Sequence, residues 1–324
     1  MIGFLARRLV NYVILCLVAT FLAYLLASLT FDPVAILMQR NPPPPEAAIA
    51  AKRLALHFDQ PIPLRFVHWL GGVVHGDFGR TVTDHNVGDE LLPRMGVSLR
   101  LFLVGVTVGV ILGVILGVVS AIRQYKISDY AATVFSFVIL STPVFVIGPL
   151  LKTGALQVND WLGTEYLKFT GEQTPGFDGS WLASLGDRLR YLIVPTLTIA
   201  LQQIAYYSRY QRSAMLDVLG SDFLRTASAK GLTRRRVLFK HGLRTALIPM
   251  ATLFAFGFGL LIVGGTFTEH IFGWYGMGDW LIVGVNTQDA NVVATVTLFV
   301  AVLVLISGWL SDVLYAALDP RVRV

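Results

Sequence analysis

Six stretches of the chain run for about 18 residues or more with almost no charge, enough for a helix to cross a 30 Å hydrocarbon core. They are Leu9 to Leu29, Leu99 to Ile122, Tyr130 to Leu151, Tyr191 to Tyr207, Ala246 to Phe267 and Val292 to Ser311. A lone strand in lipid would leave its backbone groups unpaired, so all six are predicted to be helices. The pattern predicts an all-α, polytopic membrane protein with six transmembrane helices. The first run exceeds the 7 to 15 apolar residues usual in a signal sequence and is read as an uncleaved span. Two polar connections, Phe31 to Val97 and Thr153 to Arg190, are too long for simple links. In the first, Pro42 to Pro45 predicts a stiff polyproline spacer before an alanine-rich helix from about Glu46 to Leu56.

Composition agrees with this pattern: 55% of the 324 residues are hydrophobic, 14% are charged and the mean hydropathy is +0.65. The single cysteine, Cys16, rules out an intrachain disulfide and a thiolate metal set, and is read as filler between helices. Placing both termini in the cytoplasm puts fifteen basic residues against five acids on that side, and ten against fifteen on the other. That asymmetry orients the chain with both ends inside.

The charge is concentrated in one connector. Asp222 to Arg244, DFLRTASAKGLTRRRVLFKHGLR, carries seven Lys or Arg and one carboxylate. Attraction to anionic lipid is the plain explanation, worth about 1 kcal/mol per basic residue. Docking of a soluble partner is the competing one, and it needs structure. Asp222 can cap a helix containing Phe223, Ala227 and Lys230, Gly231 is placed to end it, and Thr233 to Leu243 forms a second helical segment. On residues alone the two readings weigh equally. No aromatic platform or recognition motif accompanies the charge, which argues against a nucleic-acid surface.

R-T-A-S-A-K-G followed by L-T-R-R-R-V-L-F-K-H-G-L-R resembles the EAA loop of binding-protein-dependent ABC importer permeases, in the form found in the oligopeptide, dipeptide and nickel branch. D-Q-P-I-P-L-R-F-V-H-W-L-G-G-V-V-H-G-D-F-G-R-T, L-S-T-P-V-F, T-E-H-I-F-G-W-Y-G-M-G and L-D-P-R-V-R resemble further segments of that branch. Tyr275, Gly96 and Ser98 depart from its usual proline, proline and threonine. The resemblance implies a type I ABC importer transmembrane domain. It implies an N-terminal helix and extracytoplasmic segment over 1–97, a five-helix core over 98–318 with the coupling loop at 209–246, and a cytoplasmic tail over 319–324. It assigns ATPase coupling to Asp222, Arg225, Thr226, Ala227, Lys230 and Gly231, with Arg225, Thr226 and Ala227 in the Glu-Ala-Ala positions. The implied partners are a second homologous permease chain in a heterodimer, cytoplasmic ATPase subunits, an extracytoplasmic substrate-binding protein and membrane lipids, in a bacterial inner membrane. Oligopeptides and dipeptides are the implied cargo; nickel chelates, glutathione or another small solute are the alternative within the same architecture.

Within the spans, Gly105, Gly109, Gly113 and Gly117 recur every fourth residue, a flat stripe on which another backbone can lie close. Tight packing within the subunit is the first reading and a helix that slides during gating the second. Ser141, Thr142, Pro143, Gln202, Gln203 and Glu269, with Thr266 and Thr268, are candidate pathway groups, since lipid exposure would cost several kcal/mol unless they pair. Pro143 is expected to break or kink its helix. Adjacent residues on a helix point about 100° apart, so Gln202 and Gln203 are not expected to share one lumen.

No G-x-x-x-x-G-K-[ST] phosphate loop, H-E-x-x-H pair or G-x-S-x-G elbow occurs, and the six histidines are scattered. The chain is therefore expected not to be an enzyme and to carry no metal or cofactor, with ATP and magnesium held by partner ATPase subunits. An ion-coupled carrier would bury charge mid-span and show inverted repeats, unlike these spans. A lipid-binding membrane scaffold is the remaining different class.

Overall fold

The computed structural model describes residues 2–32, 38, 44–55, 57 and 59–318. Pro42 and Pro43, Leu56 and the tail over 319–324 lie outside the described residues. The architecture is helical: α1 Ile2–Thr30, α2 Glu46–Ala55, α3 Ile62–Val74, α4 Val87–Ile122, α5 Ile127–Ser141, α6 Val144–Leu162, α7 Trp181–Leu219, α8 Asp222–Ala229, α9 over 234–246, α10 Ile248–Phe272, α11 Met277–Asn286 and α12 Ala290–Leu318. The chain divides into two compact units, residues 2–98 with 275–306 and residues 99–274 with 307–324.

The first unit explains the length of the connection after the first span. Its apolar positions form α3, which packs Phe66 and Trp69 against Tyr24 of α1 and Ala294 of α12. Arg65 donates to the Ser28 hydroxyl at 2.9 Å and the Trp69 indole donates to the Phe78 carbonyl at 3.1 Å. Asp289 caps α12, accepting from the N–H groups of Asn291 and Val292, and its other oxygen accepts from Val82 at 2.6 Å. Ser98, at a position where the resemblance leads one to expect threonine, accepts from the Met277 N–H at 2.7 Å.

In the second unit, the extended segment between α6 and α7 is tied down at Asp187. That carboxylate accepts from Lys168 at 2.9 Å and from the Thr174 N–H at 2.7 Å. Burial raises the Asp187 pKa, but the Thr174 N–H, Lys168 and the Thr174 hydroxyl outweigh it, so the net shift is downward. This anchor is at full strength above the ordinary aspartate pKa of about 3.9 and weakens as pH falls through the lower folded value.

Three described helices, Ala6–Thr30, Val87–Ile122 and Ala290–Val313, are each long and apolar enough to cross a bilayer. The third predicted span is instead a broken pair, α5 and α6, bent by 110° at Thr142 and Pro143. The fourth lies inside the 39-residue α7, whose turns alternate apolar with polar residues, and the fifth inside α10. Among the described residues, length and composition alone thus give three crossings, or four with the bent pair, against six expected.

Candidate functional site

The basic connector is folded. Asp222 is the first residue of α8 rather than its cap; the capping position is Ser221, whose hydroxyl turns back to Val218. A carboxylate in the first turn still suits the positive end of the helix. Its contact with Arg225, at 3.4 Å with side chains 94% and 77% exposed, contributes little. Leu224 is the anchor of the helix: it is 5% exposed, and a Cβ added at Gly242 would lie 3.6 Å from both Leu224 and Met215 of α7. Met215, Ala121 and Ala246 form a small buried core against which Leu238 packs. On the opposite face Phe223, Arg225, Thr226 and Lys230 are exposed, and Ala227 is half-buried. Lys230 closes the helix, and Gly231 follows with φ +83, in the left-handed region that favours glycine.

The second predicted segment, Thr233 to Leu243, opens with one α-turn, Arg234–Arg236, and becomes a π-helix over Val237–Leu243. The wider turns seat Val237 and Gly242 inward while Arg234, Arg235, Arg236, Phe239 and Lys240 stay exposed. Such π segments recur at functional sites.

Just before this connector lies a clamp that the charge pattern did not single out. Arg212 of α7 donates two hydrogen bonds to Asp129 of α5, at 2.7 and 2.8 Å. Asp129 is 2% exposed and also accepts from the Ser120 hydroxyl and from the Tyr125 N–H at 3.0 Å. One carboxylate therefore joins α4, the α4–α5 turn, α5 and α7. Asp129→Ala should destabilise the protein by about 2–3 kcal/mol, below the 3–5 of a fully enclosed pair because the Arg212 side chain keeps 29% exposure. Adding Arg212→Met should recover much of the loss, since removing both partners leaves no unpaired charge. Thermal unfolding in detergent checks both.

The glycine stripe is a packing surface. A Cβ on Gly105 would meet Ile199 at 2.9 Å, on Gly113 Tyr207 at 3.0 Å, and on Gly117 the Ser208 carbonyl at 2.5 Å, while on Gly109 it would collide with Gln203. The stripe on α4 thus lets the backbone of α7 approach to a distance that no side chain would permit.

The break between α5 and α6 follows from Pro143. Proline has no N–H to give Ile139, and it pushes Thr142 into extended backbone at φ −92 and ψ 119. The freed carbonyls have partners nonetheless. The Gln202 amide donates to Thr142 at 3.0 Å and to Ile139 at 3.3 Å. The hydroxyls of Ser141 and Thr142 bond back to Val138 at 2.9 and 2.8 Å.

Beside the break is a cavity of about 360 Å³, lined by Phe102 of α4, Leu140, Thr142, Pro143 and Val144, Ile199, Gln202 and Gln203 of α7, and Gly265 and Thr268 of α10. It unites Thr142, Pro143, Gln202 and Gln203 with Thr268. Gln202 and Gln203 do share one space, contrary to expectation. Ser141 is exposed and Glu269 fully buried, and neither lines it. Among the described residues no group of three His, Cys, Asp or Glu side chains could hold a metal.

Apolar helices, a proline-broken span beside an uncharged cavity and a folded basic connector define a multi-pass membrane component of a transport system. The chain belongs to the family of binding-protein-dependent transport system inner membrane components: residues 109–324 match its main domain and residues 1–102 its N-terminal domain. It is 56% identical over 324 residues, the whole of both chains, to an oligopeptide transport system permease protein of Mycobacterium tuberculosis. It is 32% identical over 349 residues, 100% of this chain and 99% of the other, to a dipeptide transport system permease protein of Escherichia coli. An oligopeptide transport system permease protein of Bacillus subtilis is 32% identical over 327 residues, the full length of both.

Proposed function

We propose that this chain is the membrane-spanning permease subunit of an ATP-driven importer of oligopeptides and dipeptides, supplying half of the translocation pathway. The observation that carries the reading is the full-length 56% identity to an oligopeptide permease, joined to a connector folded as a surface helix. ATP is hydrolysed on a separate cytoplasmic subunit that grips α8 and α9, with Asp222, Arg225, Thr226, Ala227, Lys230 and Gly231 at the contact. Six crossings place both termini in the cytoplasm, α5 and α6 together making the third. A second, homologous permease chain completes the pathway as a heterodimer, and an extracytoplasmic binding protein delivers cargo to the side bearing α3.

Closure of the ATPase pair pushes on the exposed face of α8. Leu224 passes the push to Met215, and so to α7 and the cavity at its middle. Co-expression with the neighbouring subunits and purification in detergent and high salt tests this. An ATPase that stays bound and is stimulated by peptide-loaded binding protein supports it; retention of lipid alone refutes it.

A further inference from the structure

Among the described residues, the cavity beside the broken helix is lined by ten, none ionisable, whose polar side chains are all neutral amides or hydroxyls. Gln202 is already engaged, since its amide holds the carbonyls at the break. Gln203 and Thr268 remain. Gln203 is 9% exposed and Thr268 0% exposed, and the Thr268 hydroxyl has no hydrogen-bond partner among the described residues. A buried hydroxyl without a partner costs about 1–3 kcal/mol, more tolerable where a partner arrives during function. A helical threonine populates two χ1 rotamers, so rotation can turn that hydroxyl toward an occupant of the cavity it lines.

We propose that this cavity is a binding subsite for the main chain of a peptide, with Gln203 and Thr268 pairing to a backbone amide and Phe102 and Ile199 covering the side-chain stems. This deepens the proposed function and rests on it. The chemistry selects the occupant. A side-chain amide offers one donor group and one acceptor, matching the N–H and C=O of a peptide unit. The absence of charge means the site neither attracts nor rejects Lys, Arg, Asp or Glu side chains by Coulomb force. At about 360 Å³ it lies at the small end of ligand pockets, suited to a short stretch of chain rather than a folded object. Cargo of varied sequence is thereby held by the one feature every peptide shares.

The test is direct binding of radiolabelled tetra-alanine to the purified complete complex without its binding protein, compared with Gln203→Leu, Thr268→Val and the isosteric Gln203→Glu. Gln203→Leu and Thr268→Val should each weaken binding about tenfold, the effect of one lost hydrogen bond to a buried partner. Methylating the backbone nitrogens of the ligand should do the same, whereas replacing one alanine by lysine or glutamate should change affinity less than about threefold. Gln203→Glu should leave insertion intact but make binding weaker for acidic than for basic peptides. Wild-type affinity in both neutral variants, affinity that follows ligand charge in the wild type, or no binding to the wild type each overturns the subsite. Failure of the complex to import peptide at all would instead refute the proposed function, so the two are told apart by an uptake assay on the same preparation.

Discussion

Gly231→Val is expected to insert and assemble normally and to lose about nine-tenths of peptide uptake. Gly231 sits at φ +83, where an L side chain costs about 1–2 kcal/mol and a β-branched one the most. A Cβ there would meet nothing within 4 Å, so the effect is purely conformational and does not disturb the core around Leu224. Relieving the strain by rotating α8 relative to the π-helical segment would, in the proposed coupling, turn its exposed face away from the ATPase. A shift of about 1.4 kcal/mol is a tenfold change in population. The order should be Asn mildest, Ala intermediate and Val worst, because asparagine tolerates the left-handed region. Initial uptake rate and substrate-stimulated ATP hydrolysis in proteoliposomes read this out, with membrane yield as the folding control. Uptake within twofold of wild type for Val would remove Gly231 from the coupling path.

Gly109→Ala should strongly destabilise the packing of α4 on α7. Its Cβ would collide with Gln203 and stand 3.0 and 3.1 Å from the Ala200 carbonyl and Cα, backbone atoms that cannot rotate away. Overpacking of this kind costs about 1–3 kcal/mol, and Val in place of Ala should prevent stable folding. Gly96 is the control, since a Cβ there meets nothing within 4 Å and alanine improves helix propensity. Gly96→Ala should match or slightly exceed wild type in thermal stability in detergent. Equal melting of Gly109→Ala and Gly96→Ala would show that the stripe is not the seat of α7.

Much of this was legible in the residues. Charge-free runs mark α1, α4 and α12 because lipid demands them, and the four-residue spacing of Gly105 to Gly117 marks a close helix contact without naming its partner. Pro143 announces its break for a covalent reason. The donor that repairs the break, Gln202, was not legible, because side-chain reach across sixty residues is a tertiary matter. Nor was Asp129, which counts as a stray acid beside an apolar run until Arg212 is placed opposite it; a lone carboxylate at a span boundary is the signal that could have flagged it. The count of crossings also exceeds what helix geometry alone gives, since α7 mixes its polar cavity residues with its apolar ones and no single face reads as a span. The connector was half legible: its two helical segments follow from Gly231 and Thr233, but the π-helical turns at Val237 to Leu243 have no counterpart in hydrophobic spacing.

The proposed coupling requires the exposed face of α8 to be gripped by an ATPase. The most direct measurement is photo-crosslinking from position 225, which is 77% exposed, in the purified complex, with Trp161, 86% exposed near the end of α6, as the comparison. A crosslinker at 225 should yield a covalent adduct with the nucleotide-binding subunit that changes in yield when ATP is added, and one at 161 should yield none. Adducts from 225 to lipid alone, with the ATPase captured elsewhere on the chain, would contradict it.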